Sequence, residues 1–130
     1  AASVDVPALD CAYKLQEYAG TPKRKLSEGK ATWPGRKQVW RAYDADGIMR
    51  GDILSLETDK QPGEALIVPV MRGGKRIAAA PTLTQIRERA AVDLARLPAP
   101  LRRLDAFDYP VEVSVALKAL APQARPSTRR

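Results

Sequence analysis

The sequence has 130 residues, 45% of them hydrophobic and 28% charged, with 22 lysines and arginines against 15 acidic residues and a formal charge of +7. That length holds one domain rather than two, and that apolar content excludes a disordered chain, although 11 prolines and 8 glycines demand many turns and short elements. A single cysteine, Cys11, and no histidine exclude an internal disulfide and a zinc-site pattern, no apolar run approaches a membrane span, and the basic excess favours an anionic partner.

The opening residues, AASVDVPALD, lack both an initiator methionine and the basic-then-apolar order of a signal peptide, which leaves open processing or a piece of a longer protein. With one cysteine, a reducing, cytoplasmic setting is expected. Residues 11–19, CAYKLQEYA, read as a strand ended by Gly20-Thr21-Pro22, and a short strand is expected from Arg24 to Ser27. Asp46-Gly47 then lies between two strand-like runs and predicts a two-residue type I′ hairpin. In that register Ala45 faces Ile48, Tyr43 faces Arg50, Arg41 faces Asp52, Val39 faces Leu54, and Trp40 faces Ile53. The pairs make chemical sense, one aromatic against a β-branched residue and one of opposite charge, each contributing roughly 0.2–1 kcal/mol. Arg41 therefore has a structural reading beside any functional one.

Residues 65–80, ALIVPVMRGGKRIAAA, repeat the hairpin pattern around Gly73-Gly74, with Arg72 opposite Lys75 and Pro69 pointing to an edge. Two like charges face each other there, so both splay into water or an anion sits between them. After Pro81 the period changes: Thr82 and Gln85 form a capping box, and Leu83, Ile86, Ala90, Leu94 and Leu97 mark an amphipathic helix over 83–97, ended by Pro98. A helical turn over Leu101–Leu104 follows. Residues 109–120, YPVEVSVALKAL, alternate like a strand yet also suit a helix begun by Pro110; the strong helix formers from Ala116 to Leu120 favour helix. The Pro-rich basic tail, 122–130, is expected to be disordered. The architecture expected is α+β, short antiparallel strands and hairpins followed by C-terminal helices that pack the sheet.

Between Lys23 and Arg41 stand seven basic residues against Glu28 alone. The strip suits a nucleic-acid surface with Trp33 or Trp40 as stacking faces, a phosphate site at the turn from Ser27 to Lys30, or an edge strand kept soluble by lysine. It lacks the spacing of a P-loop. Catalysis within the chain is hard to assemble, since there is no histidine, no base beside a Ser or Cys nucleophile and no compact acidic cluster for a metal. Asp5 and Asp10 read as turn or capping residues.

Residues 13–41, YKLQEYAGTPKRKLSEGKATWPGRKQVWR, resemble the segment that opens the C-terminal region of nicotinate phosphoribosyltransferases. The residues that carry the resemblance are Tyr13, Lys14, Leu15, Lys25, Ser27, Lys30, Pro34, Gly35, Lys37 and Arg41, and it continues through DGIMRGDILSL into YPVEVSVALKAL. It implies an enzyme, a transferase also classed as a ligase, that joins nicotinate to phosphoribosyl pyrophosphate. The products are nicotinate mononucleotide and pyrophosphate, in NAD synthesis, with ATP hydrolysis and magnesium. It also implies a type II phosphoribosyltransferase fold, with residues 1–12 leaving an upstream α/β barrel, 13–121 forming the C-terminal domain and 122–130 a tail. The implied partners are the upstream N-terminal and barrel part of the same enzyme and a second copy of the parent, in the cytoplasm and away from membranes and nucleic acid. No catalytic residue or metal ligand of the family falls on this chain, which alone is expected to be inactive. The strip becomes a sheet segment on or facing the barrel, with Lys14, Lys25, Ser27, Lys30, Lys37 and Arg41 as candidate contacts to substrate or phosphate. Trp33 and Trp40 become packing residues. A stand-alone basic module for nucleic acid or other polyanions is the competing reading.

Overall fold

The computed structural model describes residues 14–24, 32–103 and 106–124, which form two compact units. The smaller unit belongs to residues up to 36 and from 120 onward. Its strands β1 (Glu17–Tyr18) and β2 (Thr21–Pro22) pair antiparallel across the tight turn Ala19-Gly20, both with positive φ. The expected strand over 11–19 is thus reduced to two residues within its described part, and Thr21-Pro22, expected to end it, forms its partner. Arg24 lies outside any strand, and the rest of the expected 24–27 strand lies outside the described residues. The Gln16 carbonyl accepts from the Lys23 and Gly35 amides at 2.8 and 2.7 Å, and the Arg24 guanidinium donates to the Ala121 carbonyl at 3.0 Å. Pro34, Gly35, Ala121 and Ala124 are buried there.

The larger unit, within residues 37–119, is built on a long hairpin of β3 (Lys37–Tyr43) and β4 (Met49–Leu56). β5 (Glu64–Ala65) adds antiparallel to β3, and β8 (Val111–Val113) adds parallel to β4, giving the order β5-β3-β4-β8. The expected facing pairs Arg41/Asp52, Trp40/Ile53 and Val39/Leu54 are all present. The turn is not the expected one. The Asp44 amide donates to the Ile48 carbonyl, Gly47 has φ +78, and Ala19 is the sole non-glycine residue with positive φ among those described. Asp46 therefore cannot take the type I′ conformation, and Ala45, Asp46 and Gly47 form a three-residue loop. The Asp44 carboxylate holds this loop by accepting from the Asp46 and Ile48 amides at 3.0 and 2.8 Å. Tyr43 consequently faces Met49 rather than Arg50, and a bulge between Ala42 and Tyr43 absorbs the extra residue and restores the expected register beyond it.

Strands β6 (Met71–Arg72) and β7 (Lys75–Arg76) form a separate antiparallel pair, with Arg72 opposite Lys75, both exposed, and both turn glycines at positive φ. Pro69 lies before this pair rather than in a strand. Helix α1 (Leu83–Ala95) starts at the expected capping box: Thr82 Oγ1 accepts from the Gln85 amide at 3.2 Å while Gln85 Oε1 accepts from the Thr82 amide at 2.8 Å. Such a cap stabilises a helix start by about 1 kcal/mol. Helix α2 (Ala99–Arg102) supplies the expected short turn, shifted toward the N-terminus.

Two expectations about the C-terminal half need correction. Residues 110–120 are not one helix: Val111–Val113 forms β8, and only α3 (Val115–Leu120) is helical. The alternating valines won where an open edge of β4 could take a ladder, and the Ala/Leu-rich half kept its helical propensity. The second concerns packing, since α1 has no buried side chain and its apolar stripe is not covered by the sheet. The described part of the tail, residues 122–124, is a turn and bend, and 125–130 lie outside the described residues.

Gly63 is a tight point in this arrangement. Its φ is +116, and a Cβ there would come 2.5 Å from the Arg41 carbonyl oxygen, as β5 meets β3. Gly63→Ala is expected to cost about 2 kcal/mol or more, read as a lower midpoint in urea denaturation; an unchanged midpoint would refute the close approach.

Candidate functional site

The most polar cluster of the larger unit sits on its central strands. Arg41 Nε donates to Asp52 Oδ1 at 2.8 Å and its NH2 nitrogen to Asp52 Oδ2 at 2.7 Å, a two-pronged ion pair. The side chains are 23% and 12% exposed, so solvent screens them only partly. Tyr109, entering from the segment before β8, donates its hydroxyl to Asp52 Oδ1 at 3.1 Å. The hydrogen bonds from Arg41 hold the Asp52 carboxyl below the usual carboxylate range, and the same bonds hold the guanidinium above its ordinary value. Burial pushes the Tyr109 hydroxyl up, with the Asp52 charge acting the same way. Nearby, burial and a 2.7 Å hydrogen bond to Glu64 raise Tyr43, whose ring carries the Arg96 guanidinium 5.2 Å from its centroid.

Above this cluster opens a cleft of about 640 Å³. Arg41, Asp52, Asp93 and Tyr109 supply its polar side, while Met49, Leu94, Leu97 and Leu101 supply most of the apolar side. The helical stripe read from the sequence thus borders a cleft, with Leu94 61% exposed. Helix α1 is tethered at one end, where the Met49 amide donates to the Arg96 carbonyl at 2.9 Å. Arg41 and Asp52 offset each other, so the net charge on the cleft wall is that of Asp93, beside leucines that offer apolar contact. Among the described residues, no three His, Cys, Asp or Glu side chains gather to hold a metal.

The expected contact residues are spread out. Lys14 is exposed in the smaller unit, ahead of β1, and Lys25, Ser27 and Lys30 lie outside the described residues. Lys37 and Arg41 share one face of β3, but four residues of strand separate them by roughly 13 Å. That spacing is too wide for one phosphate, and Arg41 already engages Asp52 by two of its nitrogens. Trp40, half-buried on β3, donates its indole N–H to buried Ser55 at 2.9 Å. The sequence reading missed Tyr109, because nothing local announces a bond to a residue 57 positions earlier. It also missed Leu101 and Met49 as partners of the helical stripe.

Residues 63–121 match the family described as the nicotinate phosphoribosyltransferase C-terminal domain. A nicotinate phosphoribosyltransferase of Mycobacterium tuberculosis is 45% identical over 113 residues, covering 85% of this chain and 24% of that protein. The Bos taurus enzyme is 33% identical over 140 residues, covering 88% and 26%. The crystal structure of human nicotinic acid phosphoribosyltransferase superposes with a TM-score of 0.74 at 26% identity, covering 86% of this chain and 26% of that one. The chain spans about a quarter of the length of these relatives.

The ion pair gives a signed pH dependence. Because the folded Asp52 carboxyl titrates below its unfolded value of about 3.9, its contribution to stability is fully present above that pH and is lost as pH falls through the folded value. Asp52→Asn, which leaves Arg41 without its counter-charge, is expected to cost about 2 kcal/mol at pH 7. The gap between variant and unaltered protein in urea denaturation should narrow steadily from pH 5 to pH 2. A gap that stays constant over that range would contradict the pairing.

Proposed function

The chain belongs to the nicotinate phosphoribosyltransferase family as its C-terminal domain, and we propose that it works as that domain in an enzyme joining nicotinate to phosphoribosyl pyrophosphate. The products would be nicotinate mononucleotide and pyrophosphate, in NAD synthesis, with ATP hydrolysis, a coupling that gives the transferase its ligase character. The observation that carries this reading is the 45% identity to the Mycobacterium tuberculosis enzyme over 85% of the chain.

Within that enzyme the proposed role of this domain is support rather than bond making. Its sequence has no histidine, and its main polar cluster spends its charge internally. Magnesium and ATP are proposed to be held by the upstream N-terminal and barrel part, a reading supported by the lack of a cluster of three or more His, Cys, Asp or Glu side chains among the described residues. Lys14, Lys25, Ser27, Lys30 and Lys37 are proposed contacts to substrate or phosphate, and Arg41 is proposed to serve the sheet. A homodimer of the whole enzyme in the cytoplasm completes the proposal. Among the described residues no helix is long and apolar enough to cross a membrane.

Isolated from its source, the chain is expected within, or bound to, a larger histidine-containing polypeptide at the mass of two copies. That assembly should form nicotinate mononucleotide when given both substrates, ATP and magnesium. Recovery of the 130 residues alone, with nucleic-acid affinity falling steeply with salt, would overturn the reading in favour of a free basic module.

A further inference from the structure

The sequence contains no asparagine, and of its aspartates only Asp46 is followed by glycine. That pairing has a chemical consequence, because glycine has no side chain to shield its amide nitrogen from the carboxyl group just before it. Asp46 is exposed at the tip of the β3–β4 hairpin, and Gly47 beside it has φ +78.

Three hydrogen bonds that cap this loop end on oxygens of Asp44. Its carboxylate accepts from the Asp46 and Ile48 amides at 3.0 and 2.8 Å, and its carbonyl accepts from the Gly47 amide at 3.1 Å. An amide whose proton is engaged is a poor nucleophile, and closing a ring onto the Asp46 side chain requires the backbone between Asp46 and Gly47 to turn. Both steps need the loop to come off Asp44. The site is closed while the loop is held and open once it lets go.

We propose that Asp46 is a site of spontaneous isomerisation to isoaspartate, and that Asp44 sets its rate by holding the loop closed. In the reaction the Gly47 amide nitrogen gives its proton to water and attacks the side-chain carboxyl carbon of Asp46. The hydroxyl on that carbon leaves with a proton as water, and a succinimide closes. Water then adds to the backbone carbonyl carbon of the ring, the bond from that carbon to the Gly47 nitrogen breaks, and the nitrogen regains a proton. Gly47 is left joined through the former side-chain carboxyl, with the mass unchanged and the main chain longer by one methylene. The added length falls in the loop that sets Tyr43 opposite Met49. Those two residues hold the C-terminal end of α1, Met49 through its amide on the Arg96 carbonyl and Tyr43 beneath the Arg96 guanidinium. Isomerisation therefore strikes the tether of the helix that borders the cleft. The inference stands on the loop alone and does not depend on the family reading.

The test warms the whole enzyme at mildly acidic pH and follows the tryptic peptide 42–50 by liquid chromatography and mass spectrometry. Succinimide is recognised by the loss of one water, and isoaspartate by a shifted elution at unchanged mass. The unaltered enzyme is expected to form them roughly tenfold or more slowly when native than when unfolded in urea. Folded Asp44→Ala enzyme, which lacks the two side-chain bonds, is expected to react about tenfold faster than the unaltered native enzyme. Asp44→Asn keeps an acceptor oxygen and is expected to react at an intermediate rate; it carries the test if Asp44→Ala does not fold. Equal rates in native and unfolded enzyme would show that the loop guards nothing. A folded Asp44 variant as slow as the unaltered enzyme would assign the protection to another cover. Absence of both products even in urea would remove Asp46 as a site. Each of these three results overturns the proposal.

Discussion

One row of residues runs across all four strands of the larger sheet, Glu64, Arg41, Asp52 and Val111, and the ion pair at its centre ties the sheet together. β5 and β8 are only two and three residues long, too short to hold a register by ladder bonds alone. Each joins the long hairpin at this row. On one side Gly63 permits the close approach of β5 to Arg41; on the other, the Asp52 amide donates to the Pro110 carbonyl at 3.0 Å, and Tyr109 reaches the Asp52 carboxylate. A two-pronged Arg–carboxylate pair fixes both direction and spacing, which a point charge would not. Most of the polar side of the cleft follows from Arg41, Asp52 and Tyr109, with Asp93 added from α1.

The second governing fact is a shortage of burial. Of a chain that is 45% hydrophobic, the buried apolar residues among those described include only Met49, Leu117, Pro34 and two alanines. The region after β5 is held to the sheet chiefly by polar bonds. The Leu66 amide donates to the Val39 carbonyl, and the Gln38 side chain bonds both the amide and the carbonyl of Ile67, each at 2.9 Å. Beyond Ile67 the hairpin and helix form by local rules, a glycine turn and a capping box, and need no tertiary contact to define them. They are thus well-formed elements with apolar faces left over.

Those local rules also explain what could be read from the sequence. Thr82-x-x-Gln85 and Gly73-Gly74 carry their geometry in neighbouring residues, so the start of α1 and the turn of the hairpin were legible. The Arg41/Asp52 register was legible too, although for a partly mistaken reason: the Asp46-Gly47 turn is one residue longer than expected, and the bulge beside Tyr43 cancels the difference. Residues 110–120 resisted a single reading because both signals were genuine, one for each half. The cleft was not legible. It needs Tyr109 beside Asp52 and α1 held at Met49, and both contacts join residues far apart in sequence. The family resemblance, by contrast, rested on ordered residues in stretches between Tyr13 and Leu120, which short motifs alone could not supply.

The charge of the chain also takes on a different meaning once its placement is known. The strip from Lys23 to Arg41 and the segment 66–103 each hold an excess of six basic residues, so the rest of the sequence is net acidic and +7 is not spread evenly. In the first strip, Arg41 is paired with Asp52 and Arg24 donates to a backbone carbonyl, so part of its charge serves the fold. In the second, the basic side chains and many of the aliphatic ones are exposed. A high isoelectric point alone pointed toward polyanions. Once placement is counted, part of that excess is spent inside the fold, on the Asp52 carboxylate and the Ala121 carbonyl, so the isoelectric point by itself does not measure affinity for a polyanion.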